Sequence, residues 1–208
     1  MGIISNNAPP PSVDYLTGID CNHWQGSIDW VKVAANNPQI SFAYLKATEG
    51  TGFIDHVFFS NAATAKNAGL KIGYYHFCGL HDASDEADFF ISQVQKVAAP
   101  DLPLVLDFET NKSGLTPSEC LTWLSDFINT LHDAGFDDVA IYSYQWFLDA
   151  NLPLNHGLQT NKLWLAAYNN HPKVPHGWTN YWLWQYTNTG KVSGVNTNVD
   201  MNTSFAAL

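Results

Sequence analysis

The stretch Leu102-Pro-Leu-Val-Leu-Asp-Phe-Glu-Thr110 combines a short apolar run with two carboxylates at its end. The run is typical of a strand that is buried on both faces of a sheet. Asp107 and Glu109 are separated by one residue, so on a strand both side chains point to the same face, with Cα atoms roughly 6.5–7 Å apart. Two acids in such a place repel each other and lose hydration. Because a fold seldom requires that arrangement, we interpret the pair as a candidate acid–base site.

The composition is that of a folded protein with one substantial core. The chain has 208 residues, of which 46% are hydrophobic and 13% charged. The formal net charge is −10, and the nine Lys and Arg residues form no basic run. Nucleic acids and anionic membrane surfaces are therefore not expected as partners.

The cysteines and the first residues bear on where the chain is made. Cys21, Cys78 and Cys120 have no metal-ligand spacing and are predicted to be buried free thiols, which is typical of a reducing compartment. The N-terminus has no basic region followed by an apolar one, so we expect no secretory signal. We therefore expect synthesis in the cytoplasm and action after release. Residues 1–17 are predicted to be a flexible leader, and residues 18–208 a single catalytic domain.

Strand and helix patterns alternate from residue 18 onward. The helix signals include a capping box at Thr116–Glu119, a stop at Gly135 and an N-cap at Ser84. Eight strands are predicted, at 18–21, 41–48, 71–77, 103–109, 139–144, 162–168, 181–186 and 199–202. This order predicts an α/β fold, a single (β/α)8-like parallel barrel with five βα units followed by three strands with few helices. A doubly wound open sheet is the alternative.

Carboxylates recur where the predicted strands end, which is where barrels of this type hold their active sites. These residues are Asp20, Asp107, Glu109 and Asp200. One carboxyl group that stays protonated beside one that stays ionised is the arrangement that glycosidases use. Asp20 and Asp200 could instead be turn residues.

Several other polar residues have structural interpretations. Lys46 could pair with a neighbouring carboxylate, and His76 is predicted to be a hydrogen-bonded structural histidine beside Tyr75. No nucleophile elbow, phosphate-binding loop, dinucleotide fingerprint or HExxH motif is present. A metal-dependent sugar deacetylase is an alternative, with ligands from Asp20, His23, His76 and His81, but their spacing is not diagnostic. We expect no metal and no cofactor.

Short motifs along residues 18–205 resemble glycoside hydrolase family 25, the muramidases (lysozymes) of bacteriophages and bacteria. In chain order they are Gly18-Ile-Asp20 with Trp24-Gln-Gly26, Lys46-Ala-Thr-Glu-Gly50, Gly73-Tyr-Tyr-His-Phe77, Asp107-Phe-Glu109, Tyr142-Ser143, Leu163-Trp-Leu-Ala166, Trp184-Gln-Tyr186 and Val199-Asp-Met-Asn202. The resemblance implies a β/α barrel that cleaves the β-1,4 bond between N-acetylmuramic acid and N-acetylglucosamine in peptidoglycan.

The resemblance also implies roles for individual residues. Glu109 would be the general acid, and Asp107 would orient the 2-acetamido group or raise the pKa of Glu109 by repulsion. Asp20 and Asp200 would complete an acidic floor. Substrate contacts are expected from Tyr75, Tyr142, Lys46, Trp164, Tyr168 and Gln185. We expect a monomer that acts on peptidoglycan glycan strands of the bacterial cell wall, as in lysis by a phage.

The spacing of the carboxylates bears on the reaction course. An i, i+2 pair is too far apart for a direct retaining pair at about 5–5.5 Å and overlaps the inverting range of about 6.5–9.5 Å. Nucleophilic assistance by the substrate's acetamido group fits the same spacing, and we favour it. A chitinase-like glycosidase and a catalytically inactive carbohydrate-binding barrel are the alternative functions.

Overall fold

The fold is a closed ring of eight strands. The computed structural model describes residues 15–36 and 39–204. Within them the strands are β1 Thr17–Cys21, β2 Ile40–Glu49, β3 Phe53–Ile54, β4 Lys71–Phe77, β5 Leu104–Asp107, β6 Val139–Tyr144, β7 Lys162–Ala166, β8 Leu183–Gly190 and β9 Val199–Ser204. The helices are α1 Trp30–Ala34, α2 Phe58–Asn67, α3 Ala83–Val94, α4 Pro117–Asp133 and α5 Gln145–Asn151. β3 pairs only with the end of β2 and lies outside the ring.

The strand order confirms the predicted barrel of five βα units followed by three strands. Neighbouring strands from β1 round to β8 are parallel, and β9 closes the ring between β8 and β1. The parallel orientation expected of this last strand is wrong, because β9 is antiparallel to both neighbours. Residues 191–198, which join β8 to β9, are too few for the crossover of a dozen or more residues that a parallel return requires.

Each strand divides its side chains between two cores. On β2, Phe42 and Tyr44 fill the barrel interior, whereas Ala43 and Leu45 pack outward against the helices. Lys46 continues the inward row at the C-terminal end of β2. The inward row thus changes from aromatic to polar along the strand, and this change places polar groups at one mouth of a packed barrel.

The local signals were mostly confirmed. α4 begins with the predicted capping box, in which the Glu119 amide donates to the Thr116 hydroxyl, and Gly135 beyond its end has φ +86°. The N-cap of α3 is Asp82 and not the predicted Ser84, because the Asp82 carboxylate accepts from the first free amides.

The ends of the chain and the cysteines complete the description. Residues 1–14 of the expected leader lie outside the described residues, and Thr17 already belongs to β1. Cys21, Cys78 and Cys120 are buried and unpaired, as predicted. No helix in the described ranges has the length and apolarity that crossing a membrane would require.

Candidate active site

A cavity of about 330 Å³ opens at the C-terminal ends of the barrel strands. It is lined by the four carboxylates that the sequence placed at strand ends, namely Asp20, Asp107, Glu109 and Asp200. The chain brings them together because β1, β5 and β9 end at the same mouth of the ring. Four acids in one partly enclosed space disfavour full ionisation, since burial and mutual repulsion both penalise charge.

Asp107 and Glu109 both reach this cavity although the strand is shorter than predicted. β5 ends at Asp107, two residues before the predicted end. The next residue stays tied to β6, because the Phe108 amide donates to the Tyr142 carbonyl at 3.0 Å and the Ser143 hydroxyl donates to the Phe108 carbonyl at 2.6 Å. Phe108 points outward into the helix-facing core, so the residues on either side of it face inward.

Burial shifts the titration of this pair. It raises the pKa of the Asp107 carboxyl well above its ordinary value, and the charge of Glu109 raises it further. The pKa of Glu109 is also raised, first by burial and then by the charge of Asp20, while a hydrogen bond from Tyr144 lowers it. The repulsion between the two therefore raises the pKa of Asp107, whereas the resemblance implied that it would raise the pKa of Glu109.

One carboxyl oxygen of Asp107 accepts no hydrogen bond within the described part of the chain. This atom, Oδ1, is buried. A buried carboxyl oxygen without a donor costs free energy, commonly about 1–3 kcal/mol. Because the residue lines the cavity, an N–H or O–H group of a ligand can supply the missing donor.

Asp20 and Asp200 form a second carboxyl pair, directly opposite each other on β1 and β9. The Asp200 carboxyl donates a hydrogen bond to Asp20. Burial, together with the charge of Asp20, raises the pKa of Asp200 to about 8. The Oδ1 atom of Asp20 also accepts from Gln185 Nε2 at 2.9 Å and from Asn202 Nδ2 at 2.7 Å. These donors keep Asp20 the more acidic of the two.

Aromatic side chains form the walls around the acids. Tyr75, Tyr142, Trp164 and Tyr168 all line the cavity. The predicted contact residue Gln185 does not line it. Gln185 lies behind the wall, where its Oε1 accepts from the hydroxyls of Tyr142 and Tyr168, both at 2.8 Å. It therefore links two wall tyrosines to Asp20.

Lys46 adds a cation to the rim. Its Nζ lies 2.6 Å from Glu49 Oε2 and 4.8 Å from the centre of the Phe77 ring. The expected pairing of Lys46 with a neighbouring carboxylate is thus confirmed. Its charge also lowers the pKa values of Asp107 and Glu109, although burial outweighs this effect.

His76 lies on the opposite side of the barrel wall from Tyr75 and is structural, as predicted. Its Nε2 lies 2.8 Å from Glu86, and its Nδ1 lies 2.8 Å from the Thr48 hydroxyl. Since a carboxylate only accepts, Nε2 carries the proton and Nδ1 accepts from Thr48. His81 also pairs with Glu86, so the metal ligands imagined for a deacetylase are not brought together.

Among the residues that the structure describes, one other group of side chains could hold a metal ion. The donor atoms of His23, Asp55 and His56 lie within 4.8 Å of one another. Asp55 is fully buried, and its oxygens already accept from the His23 ring at 2.8 Å, from the His23 amide at 2.9 Å and from the Val57 amide at 3.1 Å. This carboxylate is occupied in holding the loop after β1, so we interpret the group as structural.

Six lining residues were not predicted: Asn22, Trp24, Phe77, Val105, Tyr144 and Asn188. Tyr144 could have been found, because it follows Tyr142 by two residues on β6 and shares its face. Asn22 and Trp24 belong to a short 3₁₀ turn after β1, and Asn188 lies near the end of β8. No periodicity marks which turn residues face the cavity.

Comparison with known proteins identifies a family. The family model described as "Glycosyl hydrolases family 25" matches residues 19–195. Lysozyme M1 of Streptomyces globisporus is 37% identical over 204 residues, which is 93% of this chain and 69% of that protein. The autolytic lysozyme of Clostridium acetobutylicum is 30% identical, over 90% of this chain and 55% of that protein. The crystal structure of the bacterial lysozyme from Streptomyces coelicolor superposes with a TM-score of 0.86 at 34% identity, covering 95% of this chain and 94% of the other.

Proposed function

The chain belongs to the glycosyl hydrolases of family 25, a family that includes lysozymes, and from this premise we propose that it cleaves the β-1,4 bond between N-acetylmuramic acid and N-acetylglucosamine in peptidoglycan. The observation that carries the proposal is the placement of Asp107 and Glu109 in one cavity, with Asp107 Oδ1 buried and unpartnered. An acetamido N–H of the substrate is a donor of the required kind. Both sugars of peptidoglycan carry that group.

We assign the general acid role to Glu109. Its raised pKa favours the protonated form that an acid catalyst needs near neutral pH. Glu109 gives its proton to the glycosidic oxygen as the bond from that oxygen to the anomeric carbon breaks. The acetamido oxygen of the muramic acid forms a bond to the same carbon, so the intermediate is a cyclic oxazolinium ion whose N–H is hydrogen-bonded to Asp107. A water molecule then opens it, with Glu109 taking a proton back.

Asp107 is assigned to orient the acetamido group. Accepting the N–H turns the amide oxygen toward the anomeric carbon. The hydrogen bond from the substrate favours the ionised form of Asp107, against the burial that raises its pKa in the free enzyme, and the ionised form stabilises the positive charge that develops on the amide. Asp20 and Asp200 form the floor, and Tyr75, Tyr142, Trp164 and Tyr168 contact the sugar rings. Lys46 pairs with Glu49 at the rim of the cavity, and Gln185 accepts a hydrogen bond from Tyr142 in the wall.

Fragment analysis tests the reaction. Digestion of purified peptidoglycan should release reducing ends that mass spectrometry identifies as N-acetylmuramic acid, with retention of the β-anomer in the first product. N-acetylglucosamine at the reducing end, or faster release from chitin than from peptidoglycan, contradicts the proposal. Sugar binding without any product would indicate a binding barrel instead.

Substitution of Glu109 tests the acid. Glu109→Gln should lower kcat roughly 10²- to 10⁴-fold, because the amide cannot donate the proton. The matched control is Glu119→Gln on the surface of α4, where glutamine can also complete a capping box. Unchanged circular dichroism in both variants shows that the fold is intact. Turnover near that of the unmodified enzyme in Glu109→Gln would remove Glu109 from this role.

We further propose that the protein folds in a reducing compartment and acts as a monomer on the bacterial cell wall after release. The three buried, unpaired cysteines support the first part. Nucleic acids and membranes are not proposed as partners, because a net charge of −10 repels both. Sedimentation of the purified chain at micromolar concentration tests the monomer.

A further inference from the structure

We infer that a second cavity, which adjoins the acidic one, binds the peptide stem of the substrate through the stem's carboxylates. This inference rests on the proposed function, since only a muramic acid substrate carries such a stem. The second cavity, here called the stem cavity, has a volume of about 540 Å³. It shares Tyr144 and Tyr168 with the acidic cavity, so one ligand can occupy both.

The electrostatic character reverses between the two cavities. The acidic cavity is lined by four carboxylates, with Lys46 as its one lysine. The stem cavity is lined by Lys173 and His171 and by no aspartate or glutamate. A ligand that lies across both therefore meets acids at one end and a cation at the other. A neutral glycan with anionic side branches matches this order.

Lys173 is available for a ligand. Within the described ranges no carboxylate lies within 4.0 Å of its Nζ, whereas Lys32, Lys46, Lys66 and Lys162 each pair with an acid. Lys46 and Lys173 are the two described lysines that line the cavities, and only Lys46 pairs with an acid. A lysine that lines a cavity and has no acidic partner is suited to bind an external carboxylate.

The wall that the cavities share connects the stem cavity to the reacting groups. Tyr144 donates a hydrogen bond to Glu109, and its ring stacks on Trp146 with centroids 6.0 Å apart. Trp146 is 64% exposed and lines only the stem cavity. Its open face can cover the small apolar side chains of a peptide while Lys173 binds a carboxylate. In muramic acid the stem begins at the carbon next to the one that bears the acetamido group, so it leaves the ring close to the reacting centre.

Kinetics on two forms of one substrate test the inference. Soluble glycan strands are prepared with stems, and a second portion is freed of stems by an amidase. The unmodified enzyme should have a lower KM on the strands with stems. Lys173→Gln should raise that KM roughly 3- to 10-fold, as expected for one partly exposed charged contact, and leave kcat unchanged. On strands without stems Lys173→Gln should match the unmodified enzyme.

The control is Lys191→Gln, an exposed lysine that lines neither cavity. It should leave both KM values unchanged. An equal rise in KM on both substrates for Lys173→Gln would mean that Lys173 contacts the sugar or the lactyl carboxylate that the amidase leaves on it, and no rise on either would mean that Lys173 does not contact the stem. Both results overturn the inference. If the unmodified enzyme releases no muramic acid ends from either substrate, the proposed function itself fails.

Discussion

At the scale of single residues, Asp200 couples the stability of the protein to pH. Its pKa is about 8 in the folded protein, compared with 3.8 for an ordinary aspartate. Between these values the unfolded chain has released the proton and the folded protein still holds it, so stability falls as pH rises through this window. The part of this loss that Asp200 contributes should be smaller than about 1.4 kcal/mol per pH unit, the limit for one fully linked proton.

Asp200→Asn should make this dependence less steep, while Asp107 and Glu109, whose pKa values are also raised, keep part of it. The asparagine amide is uncharged and can still donate to Asp20, so the hydrogen bond is kept while the proton linkage is removed. Urea unfolding at a series of pH values from about 5 to 8 measures the slope. The control is Asp137→Asn, an exposed carboxyl outside both cavities, which should keep the original slope. A variant at position 200 with the unchanged slope would contradict this account of Asp200.

The sequence predicts residues of the site well where a strand carries them. Asp20, Asp107 and Asp200 lie within strands, and Glu109 lies two residues past the end of one, so alternation and the rule for barrel mouths were sufficient. The sequence correctly predicted that Tyr75 and His76 point to opposite faces of their strand. The hydrogen-bond partner of His76, Glu86, could not be predicted in the same way. The unused oxygen of Asp107 and the support given by Gln185 depend on side chains distant in sequence, and no local pattern encodes them.

At the scale of elements, close packing between β2 and β4 depends on a glycine. Gly73 lies beside Tyr44 in the parallel register, and a Cβ atom there would be 2.2 Å from the Tyr44 ring. Tyr44 is fully buried, and its hydroxyl donates to the Pro103 carbonyl at 3.1 Å, so the ring has little freedom to move. Gly73→Ala should destabilise the protein by about 1–3 kcal/mol.

Gly52→Ala is the matched control, because a Cβ atom at Gly52 would contact nothing within 4 Å. Its effect should stay within about 0.5 kcal/mol. Denaturant midpoints of the two variants measure the difference. Equal stability of both would show that the barrel interior at Tyr44 is looser than described.

The elements themselves could be predicted because their signals are local. The capping box of α4 and the apolar strands needed no long-range information. The direction of β9 was mispredicted because a rule for βα units was extended to a strand that has no preceding helix. The fifth predicted βα unit requires a helix after β6, and α5 occupies that place, but its bounds were not predicted because a helix of seven residues carries weak periodicity.

At the scale of the whole molecule, the charge of −10 opposes the approach to an anionic wall. The hydrolysis rate on intact walls should therefore rise as NaCl is raised from about 10 to 150 mM, because the Debye length falls from about 30 to about 8 Å. Short glycan fragments without stems carry only one lactyl carboxylate per disaccharide, so their turnover should change less than the rate on intact walls. A rate on walls that falls with salt would mean that local attraction outweighs the overall repulsion.

The closure of the barrel by β9 has a consequence for the timing of activity during synthesis. Asp20 receives its hydrogen bonds from Asn202, which is 182 positions further along the chain, and from Asp200 beside it. A chain still growing on the ribosome has β1 but not β9, so it contains neither a closed ring nor a finished acidic floor. The acidic floor is therefore completed only when β9 docks against β1, and a chain that terminates before residue 199 has neither Asp200 nor Asn202 to complete it.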